Sequence, residues 1–233
     1  MLCATQNERH GDCHAAVICH AYAPAHMPGP RYAIAYTPPP ESPLARFGAG
    51  VLGYDCYRGV DVPYTAVGGL EPTILRLTTI EVRRSGFHGS FMSPFCLGER
   101  TERDLVEATA RFARGQRVIP VGPLAVAADA ARIVLRPVVQ PPELAAFALA
   151  CREAFVPLRA GTLEKGEAGE PFAFRMTLAG SVPGVPPQPV IKALTAAFAP
   201  MAADPLELDA ISLMRADDRA RLRVLERWRL TGR

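Results

Sequence analysis

Short apolar runs of period two alternate along the chain with longer segments in which apolar residues recur every three or four positions. Arg31-Tyr32-Ala33-Ile34-Ala35-Tyr36 is a β-rich run stopped by Pro38, Pro39 and Pro40, which cannot extend a central sheet strand. It is the predicted first strand. From Ser42 to Tyr54, the spacing of Leu44, Phe47, Val51 and Leu52 predicts a helix, weakened by Gly48 and Gly50. Thr101 and Asp104 make a capping-box pattern for a helix with Leu105, Ala108 and Phe112 on one face and Gly115 at its end. Strands are predicted at Val118 to Val126 and Arg132 to Val138. Between Pro142 and Phe155, Leu144, Phe147, Ala148, Cys151 and Phe155 fall on one helical stripe. A last helix carries Val190, Ile191, Leu194 and Phe198 and stops at Pro200, before strand-like runs at 205–215 and 220–230.

This order contains a repeat. Phe87-His88-Gly89-Ser90-Phe91 returns in type as Phe174-Arg175-Met176-Thr177-Leu178: an aromatic, a basic residue, a variable one, a hydroxyl and an apolar residue. Each copy is followed by a helix and a strand pair, and Pro123-Leu124 matches Pro205-Leu206. An α+β fold with two related lobes is the expectation. The final run fits period two through Leu222, Val224, Trp228 and Leu230 but also fits a helix; the duplication favours a strand. Arg221, Arg223, Arg227 and Arg229 then form a basic face, which reads as a solvated edge ahead of an RNA-binding stripe.

Composition narrows the picture only a little. A 233-residue chain with 49% hydrophobic and 21% charged residues buries a full core, and a formal charge of +3 is too small for nonspecific nucleic-acid binding. Arginines, prolines and glycines interrupt every apolar stretch, so no membrane span is expected. Six cysteines without framework spacing point to a reducing cytoplasm. Residues 1–26 hold four of the five histidines (His10, His14, His20, His26) and three cysteines (Cys3, Cys13, Cys19), with no sustained periodicity. Their spacing is not that of a compact zinc module, and Ala15 to Cys19 is too short for a signal-peptide core, so no metal, cofactor or leader is expected. These residues read as a disordered extension upstream of a single bilobed domain at 27–233.

Gly86-Phe87-His88-Gly89-Ser90-Phe91-Met92-Ser93-Pro94-Phe95 resembles the first signature of the two-histidine (2H) phosphoesterase superfamily, in its phosphonate-metabolism-associated bacterial branch. Arg31 to Ile34, the Ser42 to Gly53 segment and Phe174-Arg175-Met176-Thr177-Leu178-Ala179-Gly180 resemble the same branch, and the likeness runs from about residue 30 to the C-terminus. The resemblance implies a bilobed α+β fold, each lobe an antiparallel sheet with packed helices, whose two signature strands line a central cleft. It also implies metal-free hydrolysis, with two histidines moving protons and hydroxyl residues holding the phosphoryl oxygens. This chain departs from the pattern in three places. Arg175 stands at the second histidine position, Met92 where relatives often carry lysine, and the loop Arg159 to Glu170 looks short.

On a strand, alternate residues share a side, so His88 and Ser90 form one polar pair and Arg175 and Thr177 another. Histidine suits proton transfer near neutrality, whereas a guanidinium stays charged and serves as a bidentate anion ligand. His88 is therefore the expected catalytic residue, with Ser90, Arg175 and Thr177 as phosphate contacts. Two readings follow: an impaired phosphoesterase acting on a small phosphodiester, cyclic phosphate or phosphonate-related metabolite, or a noncatalytic module binding such a metabolite or an RNA end. No membrane or protein partner is expected.

Overall fold

The computed structural model describes residues 29–161 and 172–232. The expected extension at 1–26 and most of the loop Arg159 to Glu170 lie outside the described residues. Strand β1 (Arg31–Tyr36) runs into the proline corner and then helix α1 (Pro43–Leu52). The Ser42 hydroxyl accepts from the Ala45 N–H at 3.1 Å to start this helix, and Gly53 ends it with a left-handed φ of 65°. A small hairpin of β2 (Tyr54–Asp55) and β3 (Val60–Asp61) and a short helix α2 (Pro72–Thr79) follow. The sequence pattern foretold neither.

The first signature forms β4 (Gly89–Ser90), followed by β5 (Phe95–Cys96) and α3 (Glu102–Gly115). The predicted capping box is present, with Thr101 and Asp104 each bonding the other's backbone N–H. The strand expected at 118–126 is two strands, because Gly122 takes a φ of 85° and turns the chain. They are β6 (Ile119–Gly122) and β7 (Leu124–Asp129), and β8 (Arg132–Pro137) pairs back on β7. Helix α4 (Pro142–Phe155) matches its predicted stripe. The second signature forms β9 (Met176–Gly180), then α5 (Pro187–Phe198), β10 (Leu206–Leu208), β11 (Ala210–Ala216) and β12 (Leu222–Arg229). The run at 205–215 is likewise split, around Asp209.

One antiparallel sheet carries the order β12-β11-β1-β4-β9-β8-β7, with β5 beside β1. The duplication is visible as β4-α3-β6-β7-β8 against β9-α5-β10-β11-β12. The two signature strands pair with each other, and β6 pairs with β10. The hairpins are exchanged: β7–β8 from the first half lies beside β9, while β11–β12 from the second reaches β4 through β1. Helix α3 packs on β11 and β12, and α5 on β7, so each half's helix covers the other half's hairpin. The halves are interleaved around one apolar core.

Most of that core lies on one sheet face, where Tyr32, Ile34, Tyr36, Leu135, Met176 and Leu178 are buried. On β1 the alternate residues Ala33 and Ala35 face the other way, into a small cluster with Tyr54, Cys56, Met214 and Leu222. Tyr36 and Met92 are core residues, 1% and 5% exposed. Burial pushes the Cys56 thiol up to about 12, the behaviour of a packed, unreactive cysteine.

The expected C-terminal basic face requires correction. Arg221 lies before β12 and bonds Asp217 and Asp61, with its guanidinium over the Tyr54 ring. A bulge at Leu213/Met214 breaks the alternation of the pairing, setting Arg223 opposite Arg215 but Arg227 opposite Ser212. Arg227 turns inward to Asp209 at 2.6 Å and to the Thr37 carbonyl at 3.1 Å. Two of the four arginines are therefore neutralised locally.

Candidate functional site

The two signature strands meet at one residue pair, Gly89 opposite Met176. Met176 is buried among the core residues, so the positions on either side of the pair project to the opposite face. These are His88, just before β4, with Ser90 in it, and Arg175, just before β9, with Thr177 in it. All four sequence-predicted residues thus share one side of the sheet. The approach of the strands is close: a Cβ on Gly89 would lie 2.5 Å from a ring carbon of Phe174. Phe174 is itself fixed between Tyr36 and Phe91, with ring centroids 6.0 and 6.1 Å away.

His88 is half-buried, and its Nδ1 lies 3.2 Å from the Gly86 carbonyl. A carbonyl only accepts, so Nδ1 carries the hydrogen and the neutral ring keeps its lone pair on Nε2. Burial is the main influence holding the imidazole below its usual pKa of 6.5, aided by the charge of Arg132 and opposed by the backbone at Gly86 and Ser85. A neutral ring with an available Nε2 is the form that accepts a proton.

The other three residues stand differently. The Thr177 hydroxyl is half-buried and has no hydrogen-bond partner among the described residues. Ser90 donates its hydroxyl to the Met92 carbonyl at 2.7 Å, closing the turn after β4 and leaving the oxygen free only to accept. Arg175 is exposed, but its guanidinium reaches across β8 to donate to Asp129 at 2.6 Å. Nothing in the amino-acid pattern signals this carboxylate, which lies on a strand two places away in the sheet. Gln140 was missed as well. Its amide donates to the Phe172 carbonyl and accepts from the Phe174 N–H at 2.7 Å, bracketing the chain just before Arg175.

Two cavities lie elsewhere. One of about 180 Å³ is lined by Tyr36, Leu44, Leu124, Phe198, Met201 and Leu206, and one of about 70 Å³ by Tyr54, Cys56, Tyr57 and Phe87 among others. None of the four signature residues lines either. Among the described residues no cluster of histidine, cysteine and carboxylate side chains has the arrangement of a metal site, and no helix is long and apolar enough to cross a membrane.

The chain is a mixed α+β protein built on an antiparallel sheet, with a basic and hydroxyl-bearing patch where two repeated strands meet. Residues 91–170 and 168–222 match the family described as "Protein of unknown function (DUF1045)", and the chain belongs to that family. A curated relative, ribose 1,5-bisphosphate phosphokinase PhnN from Janthinobacterium sp. (strain Marseille), is 32% identical over 90 residues. That stretch is 38% of this chain and 20% of the relative, so the chain spans about a fifth of that protein's length. Among solved structures, that of a phosphoesterase aligns at a TM-score of 0.49 and 15% identity over 87% of this chain and 99% of the other. E. coli LigT complexed with 3'-AMP aligns at 0.47 and 16%, covering 88% and 100%. TT0787 of Thermus thermophilus aligns at 0.44 and 17%, covering 87% and 98%.

Proposed function

We propose that this chain handles phosphoesters in the manner of the two-histidine phosphoesterases, with His88 as its one proton-transferring side chain and Arg175 as an anion ligand at the second position. The observation that carries the reading is the register: the Gly89–Met176 pair puts His88, Ser90, Arg175 and Thr177 on one face. The ligand class is a small cyclic phosphodiester, phosphorylated metabolite or phosphonate. The partial likeness to a kinase named for a phosphorylated ribose fits that class.

In this scheme water adds to phosphorus as Nε2 of His88 takes its proton. The P–O bond to the departing oxygen then breaks, and that oxygen takes a proton from solvent, because the Arg175 guanidinium does not release one near neutrality. The imidazolium returns its proton to solvent, and the net change is one water added across one ester bond. Arg175 and the Thr177 hydroxyl hold the phosphoryl oxygens. Without a second acid/base group the rate falls by about 10²- to 10⁴-fold relative to a complete pair.

The test is turnover of adenosine 2′,3′-cyclic phosphate with phosphate-binding calorimetry alongside. Slow hydrolysis that disappears in His88→Ala and rises in Arg175→His supports the assignment. An unchanged rate in His88→Ala rejects the catalytic role. Phosphate binding without any turnover would instead make the chain a binding module.

A further inference from the structure

The face that carries His88 continues across β8 and β7, where its chemistry is unlike that of the signature strands. On β8, Ile133, Leu135 and Pro137 face the core, while Arg132 and Arg136 are exposed and project to the other side with Val134, which is itself buried. Val134 pairs with Thr177, which places both arginines on the face of Thr177 and His88, one on each side of that row. On β7 the matching positions are Ala125, Ala127 and Asp129, so two alanines leave the floor beside the arginines low.

Asp129 is the direct cross-strand neighbour of Arg132, a placement in which opposite charges ordinarily pair. Its carboxylate binds Arg175 instead. Neither Arg132 nor Arg136 forms a hydrogen bond or ion pair among the described residues. Among the described residues, three guanidinium groups on this face against one carboxylate leave two positive charges unmatched. The charge of Arg132 also lowers the His88 pKa, in keeping with their place on the same face.

Resting on the His88-centred reading, we propose that Arg132 forms a second anion subsite, making the preferred ligand one that carries a further phosphate away from the reacting ester. Arg132 stands two residues along its strand from the Val134–Thr177 row. At about 3.3 Å per residue this sets the Arg132 backbone roughly 6 to 7 Å along the strand from that row. Inorganic pyrophosphate is too short to bridge the two positions; a sugar phosphate or nucleotide with phosphates on different carbons is long enough.

The experiment compares adenosine 2′,3′-cyclic phosphate with the same compound bearing a 5′-phosphate, by calorimetry on the full chain, wild type and Arg132→Gln. The 5′-phosphate is expected to tighten binding by about tenfold in the wild type, the worth of one charge-assisted contact, and the advantage is expected to vanish in the variant. Far-UV circular dichroism and thermal unfolding verify that Arg132→Gln is folded. Arg132→Lys, which keeps the charge without the planar fork, is expected to retain part of the advantage. Equal affinity of the two ligands in the wild type, or a preference that survives Arg132→Gln, overturns the subsite while leaving the His88 reading standing. If neither ligand binds at all, both fall together.

Discussion

Gln140 offers the sharpest check on how the second signature is held. Its side chain donates to the Phe172 carbonyl at 2.5 Å and accepts from the Phe174 N–H at 2.7 Å, so Gln140→Ala removes two hydrogen bonds from the segment that delivers Arg175. Each is worth about 1 kcal/mol net, and both groups are only partly shielded from water, giving a loss of about 2 kcal/mol. For a chain of this size that corresponds to a fall of roughly 4 to 8 °C in Tm. Differential scanning calorimetry measures it, and phosphate titration of the same variant reads the consequence for Arg175. Gln140→Glu separates the two bonds. It keeps the acceptor for Phe174 but turns an oxygen toward the Phe172 carbonyl, so it should be no better than alanine at neutral pH and recover as the carboxyl protonates. A Tm within about 1 °C of wild type for Gln140→Ala would show that the bracket does not hold the strand entry. A lowered Tm with unchanged phosphate affinity would show that Arg175 does not depend on it.

Asp129→Asn frees the Arg175 guanidinium. The pair is 44% and 31% exposed, so stability should change by less than about 1 kcal/mol, while affinity for inorganic phosphate rises, most strongly at low salt. A weakened affinity would mean that Asp129 orients the arginine for the anion. The pH dependence of stability follows from His88, whose pKa is lower in the folded chain than its usual 6.5. Its contribution is complete above that unfolded value and is lost as pH falls through the folded one, because the unfolded ring takes up the proton first. Thermal unfolding from about pH 7 to pH 5 should show a decline that flattens in His88→Gln, and identical slopes would contradict the burial of this ring.

Gln140, Asp129 and Arg132 show why part of the site escaped the sequence. His88, Ser90, Arg175 and Thr177 were recognisable because a five-residue pattern occurs twice, and strand parity then assigned each pair a side. Asp129 lies 46 positions from Arg175 in the chain and Gln140 34 from Phe174, and nothing local to either announces the contact. Arg132 and Arg136 were half legible: the alternation with Ile133 and Leu135 marks them as facing away from the core, but not what they face.

The amino-acid pattern by itself determined the helices at 43–52, 102–115, 142–155 and 187–198, the α+β class and the duplication, because capping and periodicity are properties of neighbouring residues. Only the tertiary structure decided that the two halves exchange hairpins, that the two signature strands lie side by side, and that the C-terminal arginines are divided by a bulge. Strand pairing is chosen by which faces can be buried together, a condition satisfied by the whole chain at once. The same repeated motif could have served two separate sheets; the shared core on the Met176 face is what brings its polar positions together on the other.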